Sequence, residues 1–277
     1  MKEKIILAKP TKIICKIYPE YPVFYKNFID KIKNFCAYQS LLLSDIWVRD
    51  FLPIQNLKTG KLFSFFYEPI YKKAKFKKLY KNLRGETSKY FPQAIKLSVY
   101  LDGGNFIYNK KGIGILFKNQ NIFKNNSRQK ITDIIKQKFS LKKVLWLPPL
   151  PLQEDPFCHI DGLMQFLGND ILCINAPYNN TTEKHLKKCL DILENKFKFV
   201  FLPTELNLKE TLSAKGIYAN FLETSHAVFV PKYNLKSDDK AAQIIQKYTQ
   251  KPVISIDTGV ISKYGGSLHC LTQNYFL

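Results

Sequence analysis

The stretch IKLSVYLDGGN, residues 95–105, decides the fold: a short, mostly apolar run breaks without transition into an acidic, glycine-rich turn. A helix is expected just upstream, at 74–84, and the same order recurs along the chain. The other helices are expected at 23–38, 126–139, 181–196 and 238–249, the last with Ala241, Ile244, Ile245 and Tyr248 at helical spacing. Strands follow them at Leu41 to Leu43, Ile95 to Leu101, Val144 to Leu147, Phe199 to Leu202 and Val253 to Ile256. Asn126 with Ser127, Thr181 with Thr182, and Ser237 with Asp238 supply N-cap residues. Each strand runs into a segment holding unusual residues: WVRD at 47–50, LDGGN at 101–105, CHIDG at 158–162, YANF at 218–221 and GGSLHC at 265–270. From Asp50 to Asp102, His159, Asn220 and Cys270 the steps are 52, 57, 61 and 50 residues, an even spacing that marks an internal repeat. Repeats of one helix and a few strands, arranged radially as in propellers, would turn the same strand end of each toward a central axis. The expected fold class is therefore an α/β propeller, in a single catalytic domain over residues 1–277.

Composition removes several alternatives. With 45% hydrophobic and 23% charged residues, and no long charge block, the chain can bury a sizeable core, which excludes disorder and coiled coil. No apolar run approaches the roughly 20 residues of a membrane span. The apolar stretch Ile5 to Ala8 is too short for a signal-peptide core of about 7 to 15 residues, so a cytoplasmic chain is expected. A net charge of +21 suggests phosphate-bearing partners, yet of 43 basic residues only Arg49, Arg84 and Arg128 are arginine, the residue base and phosphate readers favour. The lysine excess reads as compositional drift, and its densest cluster, Lys72, Lys73, Lys75, Lys77, Lys78 and Lys81, as a solvated helix face. No specific nucleic acid and no membrane partner are expected. Six cysteines without a CxxC spacing argue against a disulfide framework or structural zinc and for buried thiols. The dipeptides Cys158-His159 and His269-Cys270 could form a Cys₂His₂ zinc site only with irregular backbone, because strand neighbours point to opposite faces.

The residues that stand out are Asp50, Asp102, His159, Asp161, Asn220 and Cys270: a thiol, an imidazole, three carboxylates and an amide. A cysteine with a distant histidine is a nucleophile and acid/base pair in many enzymes. The surplus of carboxylates is the distinguishing feature. A thiolate among anions is disfavoured unless the substrate brings positive charge, and carboxylates match the paired donors of a guanidinium. His159 and Asp161, two apart, would point to one face of a strand, with Ile160 turned away. The glycine pairs 103–104 and 265–266 would serve a hairpin turn or a close approach of backbone to ligand.

In this order, DIWVRD with LPIQ, LDGGN, HIDG, YANF with VFVP, and GGSLHC, the chain from Asp45 to Asn274 resembles the agmatine deiminase and bacterial peptidylarginine deiminase family of guanidino-modifying enzymes. The resemblance implies a pseudo-fivefold α/β propeller of ββαβ units. It implies Cys270 as nucleophile, His159 as general acid and base, Asp50 and Asp161 as the carboxylates gripping the guanidinium, and Asp102 in the place of a glutamate. Asn220 and Gly266 would shape the substrate site, and Trp47 would pack along the substrate's aliphatic stem. It implies no metal and no organic cofactor, and a small cationic guanidine as partner; a homodimer is the candidate assembly.

Departures from the family pattern carry their own expectations. Cys158 stands where relatives usually have glycine and would press on a tight turn; Asp102, shorter than glutamate, would reach His159 less directly. His185 is expected on a solvated helix face, His226 in a loop, and Arg49 in an ion pair. Agmatine ends in a second ammonium, arginine in a carboxylate that Lys72 and Lys73 could clamp. With no leader recognised, a small molecule is favoured, and the expected reaction is agmatine to N-carbamoylputrescine in polyamine synthesis. The alternatives are peptidylarginine or free arginine deimination, amidino transfer to another amine, and, from another class, an inactive basic binding propeller.

Overall fold

A computed structural model gives the fold, described here for residues 2–68, 77–194, 196–206 and 212–276, with backbone alone at 77–81 and 120–121. The chain opens with β1 (Glu3–Ala8), α1 (Lys12–Ile17), α2 (Tyr21–Ile32) and β2 (Ala37–Leu41), then the four-residue helix α3 (Val48–Phe51). A second repeat comprises β3 (Ile54–Gln55), β4 (Leu62–Phe66), α4 (Lys77–Tyr90) and β5 (Ile95–Tyr100). The third holds β6 (Ile107–Tyr108), β7 (Ile113–Phe117), α5 (Arg128–Phe139) and β8 (Lys143–Leu147). Next come β9 (Met164–Leu167), β10 (Ile171–Asn175), α6 (Asn180–Leu193) and β11 (Lys198–Leu202). The last repeat is β12 (Leu222–Glu223), β13 (Val228–Lys232), α7 (Asp238–Gln246) and β14 (Val253–Asp257), followed by α8 (Gly259–Ser262) and β15 (Gln273–Phe276).

Among the described residues these strands make five three-stranded sheets on one plan. The middle strand pairs antiparallel with one neighbour and parallel with the strand that follows the helix: β4 with β3 and β5, β7 with β6 and β8, β10 with β9 and β11, β13 with β12 and β14. In the remaining sheet β1 is parallel to β2 and antiparallel to β15, from the other end of the chain. A parallel neighbour requires a crossover, and the helix supplies it. The consequence for function is positional: every motif segment leaves the carboxyl end of the third strand of its repeat.

Contacts divide the chain into two compact units, Met1–Val48 with Asp161–Tyr178 and Lys198–Leu277, and Arg49–Ile160 with Asn179–Phe197. Each has its own core. In the second unit Ile131, Ile135 and Phe139, four apart on α5, bury against Ile54, Val99, Leu101 and Leu116, each large side chain contributing about 1.5–3 kcal/mol. Ser127 starts that helix by accepting from Lys130 N at 3.3 Å, and Ser140, with φ of 54°, ends it. In the first unit Ala241 and Ile245 of α7 pack with Val228, Val230, Tyr218 and Phe221.

Four of the five expected strands lie within a residue of their expected bounds, but the first repeat differs. The helix expected to reach 38 ends at Ile32, where Phe35 N and Cys36 N both bond back to Ile32 O. Residues 37–41 then pair with Lys4 to Ala8, a partner that local pattern cannot reveal. The helix expected at 181 starts at Asn180, capped by Asn179 in a capping box with Thr182. His185 is not solvated: it is 7% exposed, bonds Pro148 O at 2.7 Å and meets Cys189, and burial lowers its pKa. Lys72, Lys73 and Lys75 lie outside the described residues, as do the side chains of Lys77, Lys78 and Lys81. Among the described residues no helix is long and apolar enough to cross a membrane.

Candidate active site

In the second unit, Asp50, Asp102 and His159 form one buried cluster. Asp50 sits on α3, and its Oδ1 accepts from Gly104 N at 3.2 Å, tying the start of the WVRD helix to the LDGGN turn. That turn is a single 3₁₀ step over Gly103–Asn105, and it lies so close to α3 that a β-carbon on Gly103 would fall 2.0 Å from Arg49 O. The His159 ring stands between the two carboxylates, with Nε2 3.2 Å from Asp102 Oδ2 and Nδ1 3.5 Å from Asp50 Oδ1. All three residues are 5–6% exposed. A ring held between two acceptors is oriented and able to carry a proton, as a general acid requires. Asp102, although shorter than glutamate, is within 3.2 Å of the His159 ring.

Cys158, immediately before His159, has φ of 52°, in the left-handed region that favours glycine, which explains why that residue type suits this position. Asp155 holds the turn: its Oδ1 accepts from Phe157 N and Cys158 N, each at 3.0 Å, and its carbonyl accepts weakly from Cys158 Sγ at 3.6 Å. The side chain is accommodated within the turn, 3% exposed. Cys158→Gly is expected to leave stability unchanged or raise it by about 1 kcal/mol, as relief of the backbone offsets the lost thiol contacts. Thermal unfolding checks this; a clear fall in Tm would show that thiol packing dominates.

In the first unit a second cluster gathers around Cys270, in the turn that precedes β15. Asn220 organises it. Its Oδ1 accepts from Ser267 N at 3.2 Å and Cys270 N at 3.3 Å, while its Nδ2 donates to Asp161 O and to Cys270 Sγ, each at 3.2 Å. Cys270 Sγ lies 3.6 Å from Asp161 Oδ2, which also accepts from His269 Nδ1 at 2.7 Å. Trp47 is close by: a β-carbon on Gly266 would lie 2.4 Å from Trp47 Cζ3 and 3.0 Å from Cys270 Cβ, so only glycine lets the indole and the cysteine share that flank. The indole is fixed edge-on to Tyr18, whose hydroxyl donates to Asp45 Oδ1 at 2.9 Å.

The structure thus gathers Asp50, Asp102 and His159 in one cluster and Trp47, Asp161, Asn220, Gly266 and Cys270 in another. The expected common strand for His159 and Asp161 is absent: Ile160–Gly162 is a 3₁₀ turn, and the two side chains meet different partners. His269, weighed in the sequence as a zinc ligand and set aside, is the partner of Asp161; its place directly before the cysteine was the available signal. Among the described residues no group of His, Cys, Asp or Glu side chains is placed to hold a metal.

Known proteins resemble this chain in sequence and in fold. A protein of Marinomonas sp. provisionally named agmatine deiminase is 24% identical over 204 residues, 64% of this chain and 54% of the relative. One of Enterococcus faecalis, named likewise, is 23% identical over 209 residues, 62% of this chain and 56% of the relative. The chain spans about half the length of the curated relatives it matches. The solved structure of the Campylobacter (C. jejuni) agmatine deiminase superposes with a TM-score of 0.84 at 22% identity, over 100% of this chain and 94% of the other. A dimethylarginine dimethylaminohydrolase does so with a TM-score of 0.64 at 14% identity, covering 99% and 100%. The five matching sheets and these likenesses give the fold class, a pseudo-fivefold α/β propeller. The profile of the Porphyromonas-type peptidyl-arginine deiminases matches residues 4–275, nearly the whole chain, and the protein therefore belongs to that family.

Proposed function

We propose that the protein is a hydrolase of C–N bonds that deiminates a guanidino group, with agmatine as substrate and N-carbamoylputrescine and ammonia as products. The observation that carries this reading is the carboxylate beside the thiol: Asp161 Oδ2 lies 3.6 Å from Cys270 Sγ. An anion there opposes the thiolate unless a cation occupies the site, and a guanidinium is a cation whose paired N–H donors suit carboxylates. The substrate would thus activate its own nucleophile. The family's agmatine-named relatives support the guanidine class, and the indole of Trp47 supplies an apolar wall for a methylene stem.

In this reading, which takes the roles of Asp50 and His159 from the family resemblance, the Cys270 thiolate attacks the guanidinium carbon, giving a tetrahedral adduct gripped by Asp161 and Asp50. His159 passes a proton to the departing nitrogen, ammonia leaves, and a covalent amidino-thioether remains. Water, deprotonated by His159, adds to the same carbon; collapse expels the thiolate and releases the ureido product. Acid/base help of this kind supplies about 10²–10⁴ in rate. Asp102, hydrogen-bonded to His159, holds the ring for both transfers.

The test is product analysis after incubation with agmatine, free arginine and a peptide ending in arginine. A ureido product from agmatine, formed at least about tenfold faster than from the others, is the expected result. Faster turnover of free or C-terminal arginine would make the protein a citrulline-forming deiminase. No ureido product from any of them, with tight nucleic-acid binding at physiological salt, would make it a binding propeller.

A further inference from the structure

The deiminase reading leaves one buried ionisable side chain of the Cys270 cluster without a role. His269 is 9% exposed, and its ring is committed: Nδ1 donates to Asp161 Oδ2 at 2.7 Å, the short distance of a charge-assisted bond. Its backbone is committed as well, because His269 N donates to Asn220 O at 3.1 Å. Ring and backbone together set where the imidazole can stand. Asp161 Oδ2 is shared: it accepts from the imidazole and, at 3.6 Å, from the Cys270 thiol. The oxygen that meets the thiol is therefore also the one that His269 holds.

Two physical consequences follow. A carboxylate that accepts a strong hydrogen bond is fixed in plane and rotamer, so the guanidinium meets a preoriented anion and not one that must be ordered on binding. The same bond draws negative charge from Oδ2, which lessens the penalty that this oxygen imposes on a thiolate 3.6 Å away.

We propose that His269 is a positioning residue for deimination, orienting Asp161 toward the guanidinium and screening its charge from Cys270. The proposal rests on the deiminase reading for its first half; its second half concerns the thiol alone and needs no substrate. A purely structural histidine would predict something different. Any side chain that keeps the turn packed would then serve, and Cys270 reactivity would not follow the position of one N–H.

Side-chain geometry supplies the test. Asparagine carries its N–H₂ where His269 carries Nδ1, whereas glutamine carries it one atom farther, where Nε2 lies. His269→Asn should keep the bond and His269→Gln should lose it. Carbamidomethylation of Cys270 by iodoacetamide at neutral pH is followed by mass spectrometry, with the half-buried Cys15 as the internal reference. For His269→Gln, Cys270 labelling is expected to slow about tenfold, the effect of one pKa unit, and KM for agmatine to rise about tenfold with a smaller fall in kcat. His269→Asn should stay within about threefold of the parent in both. Equal rates for the two variants, or faster labelling in His269→Gln, would overturn the proposal. Asp161→Asn provides an independent arm should His269→Gln fail to fold: with the anion gone, Cys270 should label faster, and an unchanged rate would show that no charge needed screening. If no guanidine is turned over even by the parent protein, the deiminase reading fails, while the labelling comparison still decides the role of His269 at the thiol.

Discussion

Cys270→Ser is expected to lower turnover of agmatine by at least about 10⁴-fold while leaving the fold and its melting temperature essentially unchanged. The fold survives because the replaced atom has few structural duties. Among its polar partners are Asn220 Nδ2 and Asp161 Oδ2, and a hydroxyl accepts from the first and donates to the second. The chemistry fails because a hydroxyl beside a carboxylate does not ionise near neutral pH, even with a guanidinium bound, and His159 alone does not supply a nucleophile. Burial sets this thiol apart from four of the other five. Burial pushes Cys158, Cys173 and Cys189 up to about 12, with Asp155 and Asp102 adding to the rise at Cys158, and Cys36 up to about 11. Those thiols stay protonated and unreactive. A 2-haloacetamidine, which offers an amidinium where the guanidinium would sit, should therefore label Cys270 and be competed by agmatine. Labelling at Cys158 together with an active Cys270→Ser would transfer the nucleophile's role and sink the assignment.

How far the sequence could be read depended on whether an element's partner was local. Strands such as Val144 to Leu147 and Val253 to Ile256 follow amphipathic helices whose buried positions are four apart, and both signals are contained within the repeat. The first repeat escaped because its sheet is assembled from both ends of the chain: β1 finds β2 on one side and β15 on the other, across pairings such as Glu3 with Phe276. Motif residues were legible because acidic, amide and thiol side chains in apolar surroundings are conspicuous. Their grouping was less so. Alternation predicted a shared face for His159 and Asp161, yet a 3₁₀ turn separates their partners, since the backbone there serves the side chains and not a ladder. His269 shows the limit of type-based reading: its residue type raised a zinc site only to set it aside and assigned it no other role, whereas its carboxylate partner lies 108 residues away in sequence.

Gly103→Ala is expected to be the most damaging single methyl group in the site, lowering stability by about 3–5 kcal/mol and abolishing turnover. The argument is steric. Gly103 does not need a positive φ; what it needs is space, because its missing β-carbon would stand 2.0 Å from Arg49 O and 3.1 Å from Arg49 C. Both are backbone atoms, so no rotamer change can relieve the clash. Either α3 or the 3₁₀ turn must shift by more than an ångström, and each is tied to the other: Gly104 N donates to Asp50 Oδ1, while Asn105, two residues on, accepts from Phe117 N and donates to Phe117 O of β7. Retreat of the turn would pull Asn105 from β7, leaving buried polar groups without partners. Retreat of the helix would draw Asp50 away from His159, now 3.5 Å apart, and change the balance between the two carboxylates that hold the ring. Gly162→Ala, where an added β-carbon meets nothing within 4 Å, serves as the control for a general effect of substitution in a motif turn. Urea denaturation and turnover of both variants provide the measurement. A Gly103→Ala protein as stable and active as the parent would mean that the two segments do not approach as described, and the structural reading of the LDGGN turn would have to be abandoned.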